Sequence, residues 1–434
     1  MPARKPFVRA RRRATAAAVG LLTALTVVFS AVPGAPPASA GSASGGWTAA
    51  WGSSLVRPTA PQPWSWPNWA WDGFADQSLR QVVRVGAAGS ELRIRVSNRY
   101  GGQPLRLTRA SVARAGDGAS VLPGTLGELR FAGRPDAVVP AGAELRSDVL
   151  RLPVRPLERI AVTLYFSAAT GPVAFHEDGL ATAYRAPGDR TQDATGEAFA
   201  GATSESHYLL AGVDVRGART EGAVVTFGDS LTDGWGSTPG TDRRYPDRLA
   251  ERLRADGRRL SVVNAGLSGN RLLTDSPCYG ERGLERFRRE VLDRPGVRTV
   301  VVLIGINDIG GGGLDDWGCG THPTVTASRL IDGHRALIDA AHRRGLTVIG
   351  ATLTPFRGYA PYYTPEKERV RDTVNHWIRT SGAYDAVADL DRTLADPRPD
   401  HHDHLSPAYD SGDGLHPGDP GTAAMARAVA DLIP

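Results

Sequence analysis

Cysteine and lysine are nearly missing from this 434-residue chain, and each gap removes a class of explanation. The only cysteines are Cys278 and Cys319. A structural zinc site takes four ligands, so two cysteines fall short of one. Lysine occurs only at Lys5 and Lys367, and the arginine-for-lysine bias reads as genome composition, not function. No run after residue 32 is long and apolar enough to span a bilayer. No internal repeat is visible. The glycine run 310–313 is not followed by Gly-Lys-Ser/Thr, so it is no phosphate loop.

Acid is missing from the start of the chain. Arg4, Lys5, Arg9, Arg11, Arg12 and Arg13 precede an apolar run from Ala16 to Val32, and Ala38-Ser39-Ala40 then offers a small-x-small cleavage site. That is the layout of an export signal over residues 1–40. The competing reading is an uncleaved anchor, for which a run of about 17 residues is near the lower limit. Arg12-Arg13 hints at the twin-arginine route. Six of the 51 basic residues and none of the 46 acidic ones lie in this segment, so the formal +5 becomes 45 basic against 46 acidic in the rest. The pI of about 9.4 therefore argues for no nucleic-acid partner. A secreted chain with no stable membrane span after cleavage is expected. Export permits a disulfide, and a Cys278–Cys319 bridge is expected over two free thiols.

Some 394 residues remain, enough for two domains. Residues 47–215 read as all-β. Gln81–Val85, Leu92–Val96 and Ile160–Phe166 have the period of two, with Leu92, Ile94 and Val96 on one face and Arg93 and Arg95 on a wet one. Gly and Pro punctuate the intervals, which predicts a β-sandwich of jelly-roll type. Trp64, Trp66, Trp69 and Trp71 crowd one segment; packing is favoured over a sugar-stacking platform. Ala200–Glu205 reads as a linker.

Residues 221–434 alternate strands and helices. Strands are predicted at Val224–Phe227, 261–266, Thr299–Ile304, Thr347–Leu353 and Ala386–Leu390. Helices are predicted near Tyr245–Arg254, Leu284–Leu292, Leu330–Ile338, Glu366–Arg379 and from Pro420 onward. This implies a parallel sheet with helices on both faces. Polar residues follow its first three strands: Gly228-Asp229-Ser230-Leu231, then Asn264-Ala265-Gly266-Leu267-Ser268-Gly269-Asn270, then Gly305-Ile306-Asn307-Asp308. Asp413-Gly414-Leu415-His416 precedes the last helix.

These four blocks, in this order, resemble those of the SGNH hydrolases, the GDSL-type esterases and lipases. The resemblance implies a three-layer, flavodoxin-like α/β domain behind the β domain, with no metal or organic cofactor. It assigns the four named residues to Ser230, Gly266, Asn307 and His416. Their chemistry suits the roles. A serine hydroxyl needs a base; His416 is the candidate, and Asp413, three residues before it, can hold the other ring nitrogen. Asp410 competes with Asp413, whose spacing is better. A histidine base predicts kcat/KM climbing as pH rises through roughly 6–7. The resemblance implies an oxyanion hole from the backbone N–H groups of Ser230 and Gly266 and the side-chain amide of Asn307. The Gly-x-Ser-x-Gly elbow of α/β-hydrolases is absent, because its fifth position is Thr232.

The remaining polar residues carry ordinary readings. Asp229 and Asp308 read as turn or hydrogen-bonding residues. Asn264, Ser268 and Asn270 read as supporting or plain loop residues. His401, His402, Asp403 and His404 read as a loop and not a metal site, and the 310–313 glycines as a mobile rim beside Asn307. The extended pattern Gly-Asp-Ser-Leu-Thr-Asp-Gly-Trp-Gly-Ser-Thr, with Ser97-Asn98-Arg99-Tyr100-Gly101, resembles a branch that joins a β domain to the hydrolase and includes proteins linked to xylan deacetylation. Three functions follow. The first is a carbohydrate esterase releasing acetyl or other short acyl groups, its partner a small-molecule or polysaccharide acyl ester. The second is a lipase or lysophospholipase on longer chains. The third is a sugar- or wall-binding protein with an inactive hydrolase domain. Oligomeric state is left open.

Overall fold

The computed structural model describes residues 46–60, 68–315 and 318–434. The predicted export segment, Trp64 and Trp66 lie outside them. The described residues fall in one compact unit, and both the β and the α/β regions lie within it.

Two antiparallel sheets build the first half. One runs in the order Thr48–Gly52, Leu210–Arg216, Gly89–Ser97, Glu144–Arg146, with Leu150–Val154 also paired to Gly89–Ser97. The other runs Thr203–Ser204, Ala183–Pro187, Gln77–Val85, Glu158–Phe166, Arg109–Arg114, Gly127–Glu128. Leu92, Ile94 and Val96 of the first share a core with Leu79, Val83, Ile160 and Leu164 of the second, the two-sheet burial of a sandwich. Trp69 is buried in this core, stacked on Tyr208 at 5.5 Å, while Trp71 is exposed.

Three sequence expectations fail here. The arginine face of Gly89–Ser97 is not wet: Arg95 is buried, and Arg93 and Arg95 reach Asp214 at 3.0 and 3.8 Å. The α/β half covers that face, so closely that a Cβ on Gly212 would lie 2.7 Å from Arg294 Nη1. Ala200–Glu205 is no linker, because Thr203–Ser204 pairs with Ala183–Tyr184; the chain crosses between the regions over 217–221. Of the 310–313 run Gly313 is exposed, but the glycines 310–312 form no loose rim. They are buried, the Tyr362 ring would lie 2.0 Å from a Cβ on Gly310, and Lys367 Nζ donates to the Gly310 carbonyl at 2.6 Å.

The second half is a five-stranded parallel sheet in the order Leu260–Ala265, Gly222–Gly228, Val297–Leu303, Thr347–Ala351, Ala386–Ala388. Gly222–Gly228 is buried throughout, as the near-continuous apolar run requires. The chain steps outward once, to Leu260–Ala265, then returns past Gly222–Gly228 to build the other side. The crevice at that reversal, outside the carboxyl ends of Gly222–Gly228 and Val297–Leu303, is where ligands bind in such sheets. Helices Tyr245–Ala255, Ala327–His342, Pro365–Thr380 and Asp419–Ala430 cover the sheet. Thr326 and Thr364 cap two of them, accepting from the N–H groups of Arg329 and Lys367. The expected Leu284–Leu292 helix is α-helical over Gly283–Phe287 and widens to a π turn over Arg288–Leu292. Among the described residues no helix is long and apolar enough to cross a membrane.

Candidate active site

Ser230 opens a four-residue helix, Ser230–Asp233, straight after the central strand. Asp229 caps it, accepting from Leu231 N–H at 3.1 Å. Ser230 Oγ lies 2.9 Å from His416 Nε2, and His416 Nδ1 lies 2.6 Å from Asp413 Oδ2. Asp413 Oδ1 also accepts the N–H groups of Leu415 and His416, at 2.9 and 2.8 Å. Burial works to raise the Asp413 carboxyl, yet hydrogen bonding and charge at His416, with those backbone donors, hold it down at about 2. An ionised carboxylate only accepts, so His416 Nδ1 carries the proton and Nε2 is left to accept from the Ser230 hydroxyl. Asp410 acts on the backbone instead. Its Oδ1 accepts the N–H groups of Gly412 and Gly414 at 2.9 and 3.0 Å, shaping the turn that delivers His416.

Asn307 sits in the short helix Ile306–Gly310 at the end of the third strand. Its Oδ1 receives the Tyr362 hydroxyl at 2.9 Å, and its Nδ2 donates to the Asn270 carbonyl at 3.0 Å. The carbonyl can only accept, so the amide orientation is fixed with one Nδ2 hydrogen left over. Asp308 turns away from the serine: its carboxylate takes the N–H groups of Leu272 and Leu273 at 2.7 and 3.0 Å, and burial pushes it up to about 6.

Gly266 is not where the sequence reading puts it. Its N–H donates to Asn264 Oδ1 at 2.8 Å. A Cβ there would lie 2.1 Å from the backbone nitrogen of Asp233, so this glycine lets the second loop pack beneath the serine helix. Gly269, three residues on, lines the cavity that holds Ser230, Asn307 and His416. Its φ of +70° and the Tyr279 ring, 2.3 Å from a would-be Cβ, both demand glycine. Its N–H has no partner among the described residues.

That cavity measures about 510 Å³. Trp235, Tyr279, Tyr359 and Tyr362 give it aromatic walls, Leu267 and Leu415 add aliphatic surface, and Val56, Glu177 and Asp178 reach in from the β region. The Trp235 ring lies 6.2 Å from that of His416. Cys278 is also on the wall and is bridged to Cys319. Among the described residues no group of three or more His, Cys, Asp or Glu is placed to hold a metal. In the His401–His404 segment, Asp403 pairs with Arg357 and His404, each at 2.9 Å.

Residues 226–424 match the GDSL-like Lipase/Acylhydrolase family. The parallel sheet of this GDSL-like segment fits that family's fold, and the match supports an esterase or hydrolase. Similar solved structures include a putative lipolytic protein of the G-D-S-L family from Desulfitobacterium hafniense, at 20% identity over 49% of this chain and 99% of that one, TM-score 0.37. A lipase/acylhydrolase from Enterococcus faecalis stands at 20% identity over 49% and 94%, TM-score 0.38. A putative acylhydrolase from Bacteroides fragilis stands at 18% over 48% and 85%, TM-score 0.35. No curated protein matches the chain.

Arg286 is a structural residue of the GDSL-like segment that the sequence reading missed. Almost fully buried, it donates to the Gly228 and Ala265 carbonyls and to Asn270 Oδ1, pairs with Glu290, and lies over the Phe227 ring at 4.4 Å. It staples the first two loops together. Its Nη1 and Glu290 both reach Ser54 Oγ of the β region, at 3.3 and 2.8 Å. The only signal in sequence is an ordinary i, i+4 Arg–Glu pair, which usually marks a solvated helix face.

Proposed function

We propose that this chain is a secreted serine esterase that removes short acyl groups, acetyl foremost, from a carbohydrate. The observation that carries the esterase reading is the hydrogen-bonded line from Ser230 Oγ through His416 to Asp413 at the wall of a substrate-sized cavity. Ser230 Oγ attacks the ester carbonyl while His416 Nε2 takes its proton; Asp413 holds the Nδ1–H and stabilises the imidazolium. The tetrahedral oxyanion is met by the N–H groups of Ser230 and Gly269 and by Asn307 Nδ2. His416 then returns the proton to the leaving alcohol, and water, activated by the same histidine, releases the acid from Ser230.

The aromatic walls and the acidic residues Glu177 and Asp178 support a polyhydroxylated alcohol, since rings stack on sugar faces and carboxylates accept from hydroxyls. The export segment supports an extracellular substrate. One observation favours the lipase reading: about 510 Å³ exceeds what an acetyl group fills, and Val56, Leu267 and Leu415 offer apolar surface. Residues 41–434 assayed on p-nitrophenyl acetate and p-nitrophenyl octanoate, with Ser230→Ala as blank, decide between them. Acetate preference supports the carbohydrate esterase, and acetylated xylan is the next substrate. Octanoate preference moves the assignment to lipids. Turnover that survives in Ser230→Ala overturns the mechanism.

A further inference from the structure

His176 belongs to the β region, on the two-residue strand Phe175–His176, yet its ring is buried beneath the catalytic loops. Nδ1 lies 2.8 Å from the Ser54 carbonyl oxygen and Nε2 lies 2.9 Å from Asp233 Oδ1. A carbonyl only accepts, so Nδ1 bears a proton, and against a carboxylate Nε2 donates the second. Burial opposes that charge, but the Asp233 charge and hydrogen bond, with the Ser54 carbonyl, outweigh it and raise His176 to about 9. Three other ionisable groups face the pair. Asp178 is pushed up to about 7 by burial and by the charges of Asp233 and Glu177. The His207 ring lies parallel to His176 at 6.3 Å and is held well below the usual range by burial and by the charges of His176 and Arg244. Arg244 is engaged by Asp247 at 2.7 Å.

Asp233 ends the serine helix, and its second oxygen faces the oxyanion side. Oδ2 accepts both the N–H and the Oγ–H of Ser268, at 3.0 and 3.2 Å; its backbone carbonyl accepts Asn264 Nδ2 at 3.1 Å. The next residue after Ser268 is Gly269. One carboxylate therefore joins a β-region imidazole to the turn that presents the Gly269 N–H.

We infer that His176 is a positioning residue for ester hydrolysis: by pinning Asp233 it fixes the Ser268–Gly269 turn, and with it the N–H that meets the developing oxyanion. This rests on the serine-esterase reading above. The β region is then a working part of the catalytic site, supplying alignment that the reactive residues' own half lacks.

Two substitutions separate alignment from simple adhesion between the halves. In His176→Gln the amide nitrogen reaches the Nε2 position and keeps the bond to Asp233. In His176→Asn it sits at the Nδ1 position, keeps the bond to Ser54 and loses Asp233. Full-length mature protein is assayed with p-nitrophenyl acetate, and its Tm and the labelling of Ser230 by a fluorophosphonate are recorded. Expected is a kcat in His176→Asn about tenfold or more below wild type, KM within about twofold, and most of the loss restored in His176→Gln at similar Tm. Equal kcat in the two variants, or losses that merely follow Tm, overturns the role of His176. If neither variant folds, Asp233→Asn substitutes: a fall in kcat at constant KM supports the inference and an unchanged kcat overturns it. A wild-type protein that neither turns over ester nor labels at Ser230 overturns the esterase reading itself, and the inference with it.

Discussion

In the α/β region Ser230 and Asn307 each sit in a short helix just after a strand, which the sheet delivers to one edge. In the β region Val56, Glu177 and Asp178 reach the same site from short bridging pieces, with His176 buried behind them: Val56 pairs with Phe175 in an isolated bridge, and Phe175–His176 pairs with His207–Tyr208. In the proposed mechanism the first region carries the groups that react, and the second carries groups that hold and enclose. A match confined to residues 226–424 therefore covers the proposed reacting groups while leaving out Val56, Glu177 and Asp178 of the cavity wall and the proposed positioning residue His176.

Removing the nucleophile puts the most strain on that contrast. Ser230→Ala should cut kcat by on the order of 10⁶-fold with no loss of Tm; appreciable turnover in the variant would falsify the division of labour. Asn307→Ala should lower kcat by roughly 10²–10³-fold with KM little changed, as loss of an oxyanion donor does; a KM effect alone would assign Asn307 to substrate binding instead. Arg286→Leu tests the staple between the regions. It takes the guanidinium away from the buried Glu290, leaving that carboxylate with Arg289 at 3.2 Å and Ser54 at 2.8 Å, and should cost up to about 3–5 kcal/mol, read as a lower denaturant midpoint; an unchanged midpoint would remove Arg286 from the framework. Cys278→Ser with Cys319→Ser should cost about 2–4 kcal/mol, and because Cys278 lines the cavity, KM should shift too. The smallest effect is the pH dependence of the region contact. His176 is raised in the fold to about 9, so its contribution is fully present below the unfolded value of about 6.5 and is lost as pH rises through about 9. The stability gap between wild type and His176→Gln should therefore shrink from pH 6 to pH 10; a gap that stays constant would show that the ring's charge does not hold the halves together.

What was legible in the sequence follows from how local each signal is. A buried parallel strand is a near-continuous apolar run, so Gly222–Gly228 and the serine after it stand out before any tertiary contact is known. Asp413 and His416 are close because a three-residue turn makes them so, and the choice over Asp410 follows spacing alone. Gly266 and Gly269 lie three apart in one loop, and only the packing of Gly266 against Asp233 tells which faces the cavity. Arg93 and Arg95 alternate with apolar neighbours as on any half-wet strand; nothing in that period reveals that a second region covers the face. Arg286 and Glu290 have the spacing of a surface pair, and burial turns them into a bridge. His176 sits in a two-residue strand too short for any period to register. Signals set by neighbours in the chain were readable, and those set by contact between the regions were not.

The first strand, Thr48–Gly52, also limits how the chain can be divided. Ala49 lies within the hydrophobic core of the α/β half, its N–H donates to the Pro295 carbonyl at 2.9 Å, and a Cβ on Gly52 would meet Val263 of the edge strand Leu260–Ala265 at 2.9 Å. For protein engineers this makes the crossing at 217–221 a poor place to cut. A truncated product would bare an apolar sheet margin, the kind of surface on which chains stack and precipitate. Any attempt to graft the hydrolytic half onto another scaffold has to carry this strand along or replace it with an equivalent cover.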